Sequence, residues 1–198
     1  MEPNNGQARS RAMNDSELRT QLERLHPASY GWALSCSRRD PQLAEDVLQT
    51  VYLKVLQGRA RYDGRAEFKT WLFAVIRRTA ADELRRLWWR RLRWQRHEQE
   101  PVLESSVPGP DREAERTEAH RWLARALDAL PARQRQVLHL VFYQDLSVQQ
   151  AAAVMRVSAG SARQHYGRGK QRLREWLQQN ETGHESRYGR QPAPATLP

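Results

Sequence analysis

The sequence predicts an all-α fold of two small helical domains joined by a flexible acidic linker. Three observations lead there. Apolar residues recur three and four apart through nearly every patterned stretch, and no stretch alternates cleanly as a half-buried strand would. The segment 97–118, HEQEPVLESSVPGPDREAERTE, sets seven acids against Arg112 and Arg116. Pro101, Pro108 and Pro110 break any regular element within it, so it reads as a linker, acidic inside a basic chain.

The elements follow in order. Residues 1–13 are polar and expected to be disordered. Helical patterning starts at Asn14 or Asp15, with acids in the first turn. Leu18, Leu22 and Leu25 form a stripe that Tyr30, Trp32, Ala33 and Leu34 continue after Pro27. Asp40-Pro41 is a cap followed by proline at the first helical position, the arrangement that best starts a helix. Leu43, Val47, Val51 and Leu53-Val55 then recur at helical spacing up to Gly58. RARYDGRAE, 59–67, is a loop with a turn signal at Asp63-Gly64. A third helix, from about Phe68 to Trp94, buries Leu72, Ile76, Ala80, Leu84 and Leu87 and closes a domain spanning 14–96.

The second domain spans 119–179. Trp122, Leu123, Ala126, Leu127 and Leu130 form a helix ending at Pro131, and Gln134–Phe142 forms another. Two more follow, parted at Arg156-Val157-Ser158. Ser147 with Gln150 three residues on is a capping box, and Ser158 caps the last helix. Gly167 and Gly169 each cost roughly 1 kcal/mol relative to Ala, so the rear of that helix is expected to be soft. The tail 180–198 is expected to be disordered.

Composition narrows the function. The chain of 198 residues carries 33 Lys+Arg against 23 Asp+Glu, a net charge of +10. Only Lys54, Lys69 and Lys170 are lysines. Arginine's planar fork suits phosphates and guanine edges, so the partner is expected to be an anionic polymer. Cys36 is the only cysteine, which excludes an internal disulfide and suggests a small buried hydrophobe. The six histidines are scattered without metal-ligand spacing. No phosphate-cradling loop or catalytic triad is present, so neither an enzyme nor a metal or cofactor is expected. The opening MEPNNGQARSRAMNDSE is no signal peptide, and no run reaches the ~18 apolar residues of a membrane span. A cytoplasmic protein with no membrane insertion is the expectation.

Two motifs carry chemistry. Around Ala151, Ala152 and Ala153 a short capped helix can pack closely on a neighbour. A tight turn follows, and the next helix has no acid from Arg156 through Arg174. That is a helix-turn-helix with a basic second helix. The other motif is RRLWWRRLRW at 85–94, with five arginines and three tryptophans. A membrane-surface helix would segregate its arginines from its tryptophans, and these are interleaved. Upstream DNA and an inhibitor surface both remain open for it.

LAEDVLQTVYLKVL with RYDGRAEFKTWLFAVIRRTAADELRR resembles conserved region two of the sigma-70 family of RNA polymerase sigma factors. LDALPARQRQVLHLVFYQDLSVQQAAAVMRVSAGSARQHYGRGKQRLRE is similar to their region four. No recognisable region three lies between, the layout of the extracytoplasmic-function (ECF) group. The resemblance implies a subunit that directs core RNA polymerase to promoter DNA and assists promoter opening, with an anti-sigma factor as a further partner. It implies core-polymerase binding by Asp46, Gln49 and Leu53. It implies minus-ten recognition by Tyr62, Asp63, Lys69, Trp71, Arg77, Arg78, Arg85 and Arg86, where Arg78 stands in place of the family's usual Asn. It implies minus-thirty-five recognition by Ser161, Arg163, Gln164, His165, Arg168, Lys170 and Arg172, and a linker that threads the polymerase cleft. A stand-alone helix-turn-helix regulator, with a sensory or dimerisation domain in residues 15–96, is the competing reading.

Overall fold

The computed structural model describes residues 13–95 and 125–185. The acidic linker, Trp122, Leu123 and most of the two tails lie outside the described residues.

The first unit is three helices, each packed on the other two: α1 (Asp15–Cys36), α2 (Pro41–Leu56) and α3 (Phe68–Gln95). Asn14 caps α1 through a capping box with Glu17, and Asp40 caps α2 ahead of Pro41. Pro27 lies inside α1, which runs through it unbroken although a backbone donor is lost there. Trp32 anchors the core: it is wholly buried, donates from Nε1 to the Phe73 carbonyl at 2.9 Å, and stacks on the Phe73 ring. Leu72, Ile76 and Ala80 line the buried side of α3, while Leu84 and Leu87 pack against the core only in part. Cys36 is buried, and desolvation pushes its thiol up to about 12, leaving it an inert apolar filler.

The described part of the second unit opens with a short helical stretch at 125–128, followed by α4 (Ala132–Leu138). A single π-turn, His139–Tyr143, replaces the continuous helix expected through Phe142. It brings the His139 and Tyr143 rings into a stack at 5.4 Å. Helices α5 (Val148–Met155) and α6 (Ala159–Glu185) complete the helix-turn-helix, with Arg156 in the left-handed region at the turn (φ 53°).

The rear of α6 differs from expectation. The helix continues to Glu185 through both glycines. Gly169 is buried where a Cβ would sit 3.1 Å from Leu138 Cδ1, so it permits α4 and α6 to approach rather than softening the helix. A second difference is larger. The two units share one core, in which Val137, Leu140, Ala151, Val154 and Met155 join Trp32, Val47, Phe73 and Ile76. Helix α5 lies along α3, and the Trp32 and His139 rings meet across the seam at 5.4 Å. Charge patterning predicted two tethered domains because nothing local in a sequence encodes a seam between distant segments.

Candidate polymerase and nucleic-acid interface

Gly58, at φ 68°, turns the chain out of α2 into the 59–67 loop. Asp63 accepts from the Arg65 amide at 3.1 Å and pairs with its guanidinium at 3.5 Å, folding the loop tip over Gly64. Tyr62 donates its hydroxyl to the Ala66 carbonyl at 2.5 Å. The Tyr62, Phe68 and Trp71 rings sit 5.2–5.4 Å apart and pin the loop to the start of α3. Phe68 is buried in this cluster, whereas Trp71 keeps one side open.

That open side faces a cavity of about 430 Å³ whose lining includes Lys54, Arg59, Arg61, Arg78, Asp82 and Arg156. The five cations come from α2, the loop, α3 and the helix-turn-helix turn. The sole carboxylate, Asp82, is paired with Arg85 at 3.2 Å. A flat aromatic wall inside a ring of cations suits a base with its phosphate. Of these residues, Lys54, Arg59, Arg61 and Arg156 were not singled out from the sequence. The charge of the loop was legible there; the arrival of Arg156 beside Arg78 depends on the fold.

The other predicted residues of α3 part company. Lys69 donates to the Gln144 carbonyl at 2.6 Å, and Arg77 donates to Gln136 Oε1 at 3.3 Å. Both are therefore tied to the second unit in this arrangement. Half-burial of Arg77, and then the charges of Arg133 and Arg156, lower its guanidinium pKa, with a smaller opposing effect from Cys36. Arg78 is exposed. Arg85 and Arg86 are exposed too, and their pairs with Asp82 and Glu83 are surface contacts that a phosphate can replace at little cost.

Two further groups occupy other faces. On α2, Asp46, Gln49 and Leu53 are all exposed and three or four residues apart, so they share one side. Leu53, which the sequence pattern grouped with the apolar stripe of this helix, is instead 57% exposed, a large apolar side chain at the surface. On α6, the Ser158 hydroxyl accepts from the Ser161 amide at 3.0 Å and lies 2.9 Å from the Ser161 hydroxyl, so Ser161 helps build the cap. Arg163, Gln164, Arg168, Lys170 and Arg172 are exposed, and His165 is half-buried. The Lys170 ammonium lies over the Tyr166 ring, 4.6 Å from its centroid.

Among the described residues no group of His, Cys, Asp and Glu could hold a metal, and no helix is long and apolar enough to cross a membrane. Fold and surface together define a helical helix-turn-helix protein with basic, partly aromatic faces of a kind that suits nucleic acid. The comparisons with known proteins narrow this class. The Sigma-70 region 2 family matches residues 22–90, and Sigma-70, region 4 matches residues 126–175. The ECF RNA polymerase sigma factor SigX of Bacillus subtilis is 32% identical over 146 residues, covering 71% of this chain and 73% of that protein. RNA polymerase sigma factor CarQ of Myxococcus xanthus is 31% identical over 144 residues, covering 70% and 77%. The sigma factor RpoE of Bartonella quintana, solved in complex with the anti-sigma factor NepR, shares the fold with a TM-score of 0.66 at 24% identity, over 82% of this chain and 98% of that one. The chain belongs to the sigma-70 family of RNA polymerase sigma factors, in its ECF group. Its function is to direct core polymerase to promoters for transcription initiation.

Proposed function

We propose that this sigma factor works through three separate surfaces, as a cytoplasmic, non-catalytic subunit. The α2 face of Asp46, Gln49 and Leu53 holds core polymerase. The 59–67 loop with Trp71, Arg78, Arg85 and Arg86 holds the opened minus-ten strand, joined by Lys69 and Arg77 once they leave their partners on the second unit. The exposed side of α6 reads the minus-thirty-five element, with Arg163 and Gln164 at base edges and Arg168, Lys170 and Arg172 on phosphate. The cation-ringed cavity beside Trp71 carries this reading, because it has the two components that single-strand binding needs. An anti-sigma factor is a further partner to expect, in line with the structural relatives solved with one.

The core-binding surface is tested by Asp46→Arg. Asp46 is exposed, and its carboxylate accepts a long 3.4 Å bond from Gln42 that adds little to stability, so the variant should fold normally. Reversing a charge at an interface turns attraction into repulsion. Assembly with core polymerase, measured by co-purification and fluorescence anisotropy, should fall at least about tenfold. Wild-type assembly would remove α2 from the account.

A further inference from the structure

His139 stands at the seam between the two units, and none of the three proposed surfaces uses it. Its ring is half-buried, 5.4 Å from Trp32 of the first unit and 5.4 Å from Tyr143 of its own π-turn. Its Nε2 lies 3.3 Å from the side-chain amide nitrogen of Gln144. That amide nitrogen also donates to the Ala28 carbonyl of α1 at 3.4 Å, and the Gln144 backbone carbonyl accepts from Lys69 of α3 at 2.6 Å. Gln144 is buried, so through it one ring nitrogen is linked to two helices of the first unit.

The protonation state of the ring follows from these bonds. An amide nitrogen only donates, and its two hydrogens serve Ala28 and His139. His139 Nε2 is therefore the acceptor, and the imidazole is neutral with its proton on Nδ1. A proton on Nε2 would set two donors against each other. Turning the Gln144 amide over would relieve that clash but set its oxygen against the Ala28 carbonyl. The surroundings offer no remedy. The ionisable groups on the elements around the ring are Cys36, Arg38 and Arg39 at and after the end of α1, Lys69 and Arg77 on α3, Asp128 ahead of α4, Arg133 and Arg135 on α4, and Tyr143 and Asp145 in and after the π-turn; α5 has none. Asp128 is paired with Arg39 at 2.7 Å, and Asp145 is exposed. Burial, then the charge of Arg39, lowers the imidazole pKa to about 4, in agreement with the geometry.

We propose that His139 is a proton-operated latch on the seam: neutral, it closes the two units together through Gln144, and protonated, it releases them. Release frees Lys69 from Gln144 and uncovers the surface proposed for the minus-ten strand. The inference rests on the reading that the units part at a promoter, and adds acid as a second route to parting, since protonating a covered histidine destabilises the contacts around it. In the parted form the ring meets water and its pKa returns to the ordinary 6.5. The parted form therefore takes up the proton below pH 6.5, and the closed form only near pH 4. The ratio of parted to closed chains should rise about tenfold from about pH 7.5 to about pH 5.5.

The test reads energy transfer between dyes on the full chain carrying Thr20→Cys and Gln171→Cys, exposed positions on α1 and α6. Cys36 is buried and should stay unlabelled. Transfer should fall reversibly over that pH range while helicity, followed by circular dichroism, is kept. His139→Phe keeps a ring and cannot take the proton, so its transfer should stay flat. Gln144→Glu sets a carboxylate beside Nε2, where it pairs with the protonated ring. It too should abolish the fall, and it carries the test if His139→Phe does not fold. Equal falls in all three proteins would overturn the proposal. So would constant transfer in wild type, or helicity lost in step with transfer, which is acid unfolding. Core polymerase added at the upper end of the range should lower transfer in wild type and His139→Phe alike. If it did not, the failure would lie in the reading that the units part on assembly, and the pH response would be judged separately.

Discussion

Arg163 and Lys170 both lie exposed on α6 but are expected to act differently. Arg163 is in the second turn after the Ser158 cap, where a recognition helix meets base edges. Lys170 is two turns further on and rests against Tyr166. Arg163→Ala should cost about 1–3 kcal/mol and relax preference at one base pair, whereas Lys170→Ala should weaken all sequences alike and reduce the salt slope by about 1. Titrations of holoenzyme on minus-thirty-five variants at several salt concentrations separate the two. His139 offers a second test at this scale. Burial, then the charge of Arg39, lowers its imidazole pKa from 6.5 to about 4. The unfolded chain thus takes up a proton where the folded one does not. Stability should be intact above pH 6.5 and decline as pH falls toward 4. Thermal unfolding across that range should show the decline, and His139→Phe, which keeps a ring between Trp32 and Tyr143, should remove most of it. At this scale the sequence identified exposed charges well, since Arg163 and Lys170 stand where an acid-free helix put them. It gave no sign of Arg156 or His139, whose roles come from neighbours far away in the chain.

Helix ends were the most legible elements. Asp40-Pro41 and Ser147 with Gln150 are local chemistry, and both cap as their spacing predicts. The π-turn at His139–Tyr143 was not legible, because HLVFY reads as an unbroken helix and one extra residue per turn leaves no compositional mark. The two α6 glycines look alike in sequence and differ in the fold. A Cβ at Gly167 meets nothing within 4 Å, but at Gly169 it would crowd Leu138 and Gln134. Gly167→Ala should therefore stabilise the protein by up to about 1 kcal/mol through helix propensity. Gly169→Ala should lose that gain to overpacking, which typically costs about 1–3 kcal/mol, and end neutral or destabilised. Chemical denaturation of the two variants checks the order, and a larger loss at Gly167 would contradict the α4–α6 packing.

At the scale of the whole molecule, the helix-turn-helix unit rests on the surface proposed for the minus-ten strand. Arg156, two residues before the cap of the recognition helix, shares a cavity with Trp71 and Arg78. Promoter elements some 25 base pairs apart are separated by roughly 85 Å of duplex. On the proposed reading, one molecule holds both only if its two units part, which would free Lys69 and Arg77 from Gln144 and Gln136. The sequence foresaw two helical units; it did not foresee their shared core, which depends on residues more than a hundred positions apart, such as Trp32 and His139. The claim underlying every surface described is that this chain selects promoters by two sequence blocks, and only together with core polymerase. In vitro transcription of a library randomised across the upstream region, with core polymerase alone, chain alone and both, tests it most directly. Transcripts should appear only with both, and the selected templates should share two separated blocks, with loss of either block abolishing the product. Selection of a single block, or equal selection by the chain without core, would make it a stand-alone helix-turn-helix regulator and contradict the account.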